Sequence, residues 1–227
     1  MGAHSKAGLT ISKKNTDTIM NQDNHEAIFA AAWNGDGHTS IELEPLDVNQ
    51  VLADEYDGVE GFSLTRTQLW DMEVRKAARP DLFIPGVIRA GTARSWGRRE
   101  LASGDEVFIR VSEQRLWLQP DSYGTVIEAC HLNHASQRVT FIGLPEVEDD
   151  AGRTITASTK QPLFHVVHGV SGSEDAPLNT WRIVHLAVDE DGALSERFEL
   201  MSQATGLPEY VERYIVDVLK TPLTRKS

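Results

Sequence analysis

Eight histidines are available for proton transfer or metal binding. Three of them, His165, His168 and His185, fall in strand-like segments close to the C-terminal helix. Imidazole titrates near neutral pH, so a histidine turned into aromatic surroundings is suited to moving a proton. His185 alternates onto the same face as Trp181 and Ile183. If that face is concave, His185 is the candidate catalytic group; otherwise it is a hydrogen-bonded histidine of the core or outer surface. Tyr123, just ahead of a strand, is its expected catalytic partner, able to donate a hydrogen bond at a pocket mouth. Strand residues three apart face opposite sides, so His165 and His168 both point inward only across a bulge. Arg110, Glu128 and Arg182 are charges inside strands. Turned inward they require partners, because burying a lone charge is costly. Arg182 alternates away from the face of His185, and Glu128 shares a face with Cys130.

Other chemistries find no pattern in this sequence. His131 and His134 span a turn, and a catalytic zinc needs three converging ligands, so no metal is expected. No G-x-S-x-G elbow, P-loop or G-x-G-x-x-G occurs, and no cofactor is expected. Cys130 sits mid-strand without a charged activator nearby and reads as a small buried residue.

The elements that position these groups follow from the hydrophobic pattern. A short alanine-rich helical stretch (25–33) ends at Asn34-Gly35-Asp36-Gly37. A first strand covers 41–48, and a loop follows around Asp57-Gly58. Thr65 and Gln68 then form a capping box, in which each side chain satisfies the other's exposed amide. Leu69, Met72 or Glu73, and Ala77 recur at helical spacing until Pro80 stops the helix; a short second turn covers 81–85. Strand candidates follow at 87–93, 106–111, 116–118, 125–132, 138–144, 154–158, 163–170 and 181–188, separated by turn residues, which predicts an antiparallel meander. A further helix over 195–205 leads through Gly206 to a long amphipathic helix from Pro208 to Lys220, with Val211, Tyr214, Ile215, Val218 and Leu219 on one face. A twisted sheet of this size curls, and the last helix has an apolar face to cover it. The expected fold is therefore α+β: a curved antiparallel sheet wrapped around a long C-terminal helix, with a hollow between them. Residues 1–24 read as a polar tail, 25–40 as an N-terminal extension and 41–222 as the ligand-binding domain.

The chain of 227 residues carries a formal net charge of -12. Such an acidic chain repels nucleic acid and anionic membranes, so neither is an expected partner. A single cysteine excludes an internal disulfide. No run reaches signal-peptide or membrane-span length. A cytoplasmic protein is the expectation, with a homodimer left open.

One stretch carries a family resemblance: Thr65, Arg66, Gln68, Leu69 and Trp70, then Lys76, Ala77 and Pro80, then Phe83 and Pro85. With Val126-Ile127-Glu128 and Arg138-Val139-Thr140-Phe141, it resembles a fungal branch of the SRPBCC (START-like) superfamily over residues 40–222. The resemblance implies a helix-grip fold with a ligand pocket, and a tailoring role in fungal secondary-metabolite clusters. Two segments depart from it: the part before residue 40 and the long, polar stretch 146–168.

Two functions follow as expectations. One is a cofactor-independent cyclase, isomerase or pericyclase that folds a reactive substrate and excludes water. The other is a non-catalytic carrier of a lipid or metabolite. The ligand would be an apolar polyketide, terpenoid or lipid-like molecule. Its expected contacts are Trp70, Phe83, Trp96, Phe108, Glu128 and Phe141, together with His165, Trp181 and Tyr214. Two or more converging inward polar groups favour the enzyme, and none favours the carrier.

Overall fold

Alternation along seven hydrogen-bonded strands gives the molecule its two-sided plan. The computed structural model describes residues 24–59, 61–203 and 205–226; the tail reading for 1–24 falls almost wholly outside them. The elements run α1 (His25–Trp33), β1 (Thr39–Asp47), α2 (Val48–Glu55), β2 (Tyr56–Asp57), α3 (Arg66–Ala78) and α4 (Pro80–Phe83). Then come β3 (Arg94–Glu100), β4 (Glu106–Arg115), β5 (Tyr123–Asn133), β6 (Arg138–Gly143), β7 (Glu146–Glu148), β8 (Thr154–Thr156), β9 (Phe164–Gly172) and β10 (Pro177–His185). The chain closes with α5 (Ala193–Ser202), α6 (Glu209–Arg213), a π turn (Tyr214–Val218) and β11 (Thr224–Arg225).

The main sheet has the order β1-β10-β9-β6-β5-β4-β3, and every pairing is antiparallel. Successive side chains point to opposite faces, so the register sorts residues into rows. One row runs Phe108, Cys130, Phe141, Val166, Ile183 and Ile41. It faces α3 and α6 and belongs to the larger core with Leu69, Met72, Val211 and Ile215. The adjacent row, Ile109, Ala129, Ile142, His165 and Val184, faces the other way. It forms a second core with Phe29 and Ala32 of α1. This is the α+β helix-grip arrangement, with an extra helix on the outer face.

Local signals account for most boundaries. The capping box of α3 is formed: Thr65 Oγ1 accepts from Gln68 N at 3.1 Å, and Gln68 Oε1 accepts from Thr65 N at 3.0 Å. Pro80 opens α4 directly after α3 ends. Several expectations shift. The segment 87–93 is a turn with one bridge, Ile88 to Gln114, because Gly91 adopts a positive φ of 75°; the edge strand is β3 instead. The segment 116–118 is not a strand, since β4 ends at Arg115. β10 begins earlier than read and stops at His185. Asp47 ends β1 and also caps α2, its side chain accepting from Gln50 N at 3.0 Å, so Val48, expected in the strand, opens the helix instead. The long C-terminal helix is shorter than expected. α6 widens into the π turn, closed by Leu219 N donating to Tyr214 O at 3.0 Å, and Lys220 ends it at φ 58°.

α1 is a packed layer of the structure. Phe29 is 4% exposed, and the Arg182 guanidinium lies 3.9 Å from the centre of the Trp33 ring. Phe29→Ala is expected to cost about 3 kcal/mol, read as a lower urea midpoint; a loss under about 0.5 kcal/mol would mean that α1 docks without contributing to the core.

Candidate functional site

On the inner face, where α3 crosses β9 and β10, five polar side chains converge among buried apolar groups. Glu73 and Lys76 lie one turn apart on the buried side of α3, with Lys76 Nζ 2.7 Å from Glu73 Oε2. Lys76 Nζ is also 2.7 Å from His168 Nδ1 on β9. Asn179 of β10 donates to Glu73 Oε1 at 2.9 Å, and the Tyr210 hydroxyl of α6 donates to Asn179 Oδ1 at 2.8 Å. The Tyr210 ring caps the ammonium, 3.8 Å from Nζ to its centroid. Phe141 and Trp181 meet the His168 ring edge-on at 5.5 and 5.3 Å.

The charges here are set by competition between burial and neighbours. Burial opposes ionisation of Glu73, but Lys76 and His168 outweigh it and hold the carboxyl at about 2. Burial lowers Lys76, while Glu73 works to keep it charged. Burial, reinforced by the Lys76 cation, brings His168 down to about 4. His168 is thus neutral near pH 7. Since an ammonium has only donors, Lys76 donates to Nδ1, which places the His168 proton on Nε2. The arrangement is a relay: an ion-paired ammonium behind a neutral imidazole whose outer N–H can donate.

A second inner-face pair lies on β4 and β5. Arg110 binds Glu128 Oε2 through Nε at 2.9 Å and Nη2 at 2.7 Å, and its Nη1 caps the end of α3 through Ala77 O at 3.0 Å. Gln114 donates to the same carboxylate oxygen at 3.3 Å. Burial pushes the Cys130 thiol up, so it is unreactive as a nucleophile.

His185 lies on the inner face, wholly buried, with ring contacts to Phe164 at 5.6 Å and Phe198 at 5.8 Å. Burial lowers it to about 4, and neither ring nitrogen has a hydrogen-bond partner among the described residues. Tyr123 is not beside it. The β4–β5 register turns Tyr123 to the outer face, where its hydroxyl accepts from Arg115 at 3.1 Å and its ring lies under Arg89. His165 also faces outward, accepting from Gly143 N at 3.1 Å, because no bulge interrupts β9 between it and His168. Trp96 shares that outer face through its pairing with Ile109.

Phe108, Phe141, Trp181 and Glu128 are inner-face residues. Trp70 donates to His134 at 3.3 Å, Phe83 is buried in α4, and Tyr214 donates to Asp71 at 2.8 Å. A cavity lined by Leu116, Val126, Gln161 and Phe164 measures about 10 Å³, room for one water molecule.

Glu73, Lys76, Asn179 and Tyr210 are absent from the sequence-derived set. The signal that could have found them is charge on an apolar stripe: Glu73 and Lys76, three apart, interleave with Leu69, Met72 and Ala77. Among the described residues, no group of three or more His, Cys, Asp and Glu stands close enough to hold a metal ion. No described helix is long and apolar enough to cross a membrane.

No family model and no curated protein matches the chain. Solved structures share its outline at low identity. Ara h 8.0201 aligns over 80% of this chain and 99% of its own, at 8% identity and TM-score 0.48. The Zhui aromatase/cyclase from Streptomyces sp. R1128 aligns over 81% and 91%, at 11% identity and TM-score 0.40. Major latex-like protein 151 from Panax ginseng aligns over 74% and 99%, at 10% identity and TM-score 0.41. Likeness at this level is one of chain outline; what the site does is read from its own residues.

Two outcomes follow. Glu73→Gln leaves the Lys76 ammonium buried without its counter-charge and is expected to cost about 3 kcal/mol by chemical denaturation, whereas Glu73→Leu with Lys76→Met recovers most of it. Equal losses in both proteins would show that the pair is not coupled.

The second concerns pH. His25, His165, His168 and His185 are each lowered to about 4 from an ordinary value of 6.5. Between those values the unfolded chain binds protons that the folded chain does not, so stability is full above pH 6.5 and falls toward pH 4. His131 acts oppositely: burial disfavours its charge, but Glu26 and Asp105 outweigh it and raise the value. Its contribution is full below pH 6.5 and is lost as pH rises through its folded value. Four against one, the melting temperature is expected to drop between pH 7 and pH 5. A flat profile there would contradict these burials.

Proposed function

We propose that this chain is a cofactor-independent tailoring enzyme of secondary metabolism, a cyclase, isomerase or pericyclase acting on a carbonyl-bearing polyketide, terpenoid or lipid-like molecule. The observation that carries this reading is the 2.7 Å contact between Lys76 Nζ and His168 Nδ1 inside the buried inner-face cluster. A neutral imidazole donating from Nε2 polarises a carbonyl, and a fixed donor aimed at developing negative charge is among the strongest catalytic effects available. In enolisation His168 gives its Nε2 proton to the substrate oxygen and takes one at Nδ1 from Lys76, while the α-carbon's proton leaves to a solvent water; the amine left beside the Glu73 carboxylate is reprotonated from solvent. Burial has already lowered the Lys76 value toward that exchange. The fungal assignment rests on the resemblance of the Thr65-to-Pro85 stretch.

A carrier of apolar cargo would have no use for Glu73, Lys76, His168 and Asn179 gathered on the inner face, where burying each is costly unless paired. Those groups argue for chemistry over transport.

The test is deuterium wash-in from heavy water at the α-carbon of aryl methyl ketones, 2-acetonaphthone first, followed by mass spectrometry. Wild type is expected to exceed the buffer rate, and His168→Asn to lose about a hundredfold of that excess. Exchange by His168→Asn at the wild-type rate, with wild type above buffer, would remove His168 from the mechanism.

A further inference from the structure

Phe198, on α5, sits in the middle of an enclosure that it does not satisfy. Its ring centre lies 5.0 Å from Trp117, 5.9 Å from Trp181 and 5.8 Å from His185. Phe164 closes the remaining side, 5.6 Å from His185 and 6.4 Å from Trp117. Three polar atoms border this apolar ring with no hydrogen-bond partner among the described residues: Trp181 Nε1 and both ring nitrogens of His185. His185 itself is 0% exposed. Buried donors are almost always paired, and a phenyl ring offers these at most a weak N–H···π contact.

From this we infer that the enclosure of Trp117, Phe164, Trp181 and His185 is a binding subsite for a planar aromatic ring bearing oxygen at both ends, and that Phe198 is the internal stand-in which such a ligand displaces. Trp181 Nε1 donates to an oxygen at one end. His185, four residues along β10, faces the other end and can both donate and accept as a neutral imidazole. The gap between them, two ring-to-ring steps of 5.9 and 5.8 Å, is filled by the single Phe198 ring, so a ring of that size with oxygens at opposite positions suits it. Phe198 is 1% exposed, so the packing it gives up must be replaced by the ligand's own ring; on α5 only Leu194 is buried with it. The helix hangs between the 186–192 connection and Gly206, whose φ is 83°. Trp181 also forms a wall of the Lys76–His168 group, its ring 5.3 Å from His168. An oxygen bound at Trp181 therefore lies at the edge of the relay. In that placement alone the inference rests on the proposed chemistry; the binding does not.

The experiment is calorimetric titration of the full chain with 4-hydroxyacetophenone, which has oxygens at opposite ends of one ring, and with its apolar analogue 4-ethyltoluene. Phe198→Ala is expected to bind 4-hydroxyacetophenone at least about tenfold more tightly than wild type. Adding Trp181→Phe is expected to remove about tenfold of the preference over 4-ethyltoluene, the usual scale of one hydrogen bond. A folded Phe198→Ala protein that gains no affinity, or whose gain is the same for both probes and indifferent to Trp181→Phe, overturns the assignment. Should Phe198→Ala not fold, the wild-type protein decides: saturating 4-hydroxyacetophenone must shift the Trp181 indole N–H resonance and leave that of Trp33, on α1, in place. An unmoved Trp181 resonance also overturns it. These arms read binding. Intact binding with no His168-dependent exchange would sink the catalytic reading and leave the subsite standing, and the reverse result would do the opposite.

Discussion

The unbroken antiparallel ladder from β4 to β10 is the constraint on which the rest depends. Because the side-chain period is two, a one-residue slip in any strand would exchange its inner and outer sets. The register holds Phe108, Phe141, Val166 and Ile183 in one row and Ile109, Ile142, His165 and Val184 in the next. Both faces are buried, one by α3 and α6 and the other by α1. A slip would therefore put Arg110 and Glu128 into the outer core and Ile109 beneath α3. Burial on both sides is what fixes the register so firmly.

That double burial also sets the terms for the polar groups. Each charge on the inner face is paired: Lys76 with Glu73, Arg110 with Glu128. Such pairs seldom stabilise a protein beyond what apolar residues of the same shape would contribute, because desolvation cancels most of the attraction. Their presence on α3 and the central strands is therefore better explained by position than by stability. Lys76 holds the His168 tautomer, and Arg110 ties the end of α3 to β4 through Ala77. The helix is anchored at its start by the capping box and at its end by a guanidinium, so the relay side chains between those points have little freedom to wander.

The outer helix follows the same logic with different chemistry. α1 covers apolar residues on the outer face, and it brings His25 and Glu26 down onto His131. Arg182, which alternates away from His185, meets α1 there, over Phe29 and Trp33. A segment that reads as an extension in sequence is thus part of the second core.

The residues by themselves determined the local facts. Thr65 with Gln68 dictates a helix start, Pro80 its end, and the turn residues between β-branched runs dictate an antiparallel meander. Alternation within β9 determined that His165 and His168 face opposite ways, and alternation within β10 that His185 and Trp181 share a face. What local pattern could not decide is which face is the inside, since that depends on where α3 and α6 land, far away in sequence. For the same reason Tyr123 and His165 were placed in a site they do not reach, while Asn179, Tyr210 and the pair Glu73–Lys76 passed unnoticed. Glu73 and Lys76 look like ordinary charges on a helix until β9 and β10 bury them. Only tertiary contact, by removing water from that stripe, turns two surface-like side chains into the centre of the site.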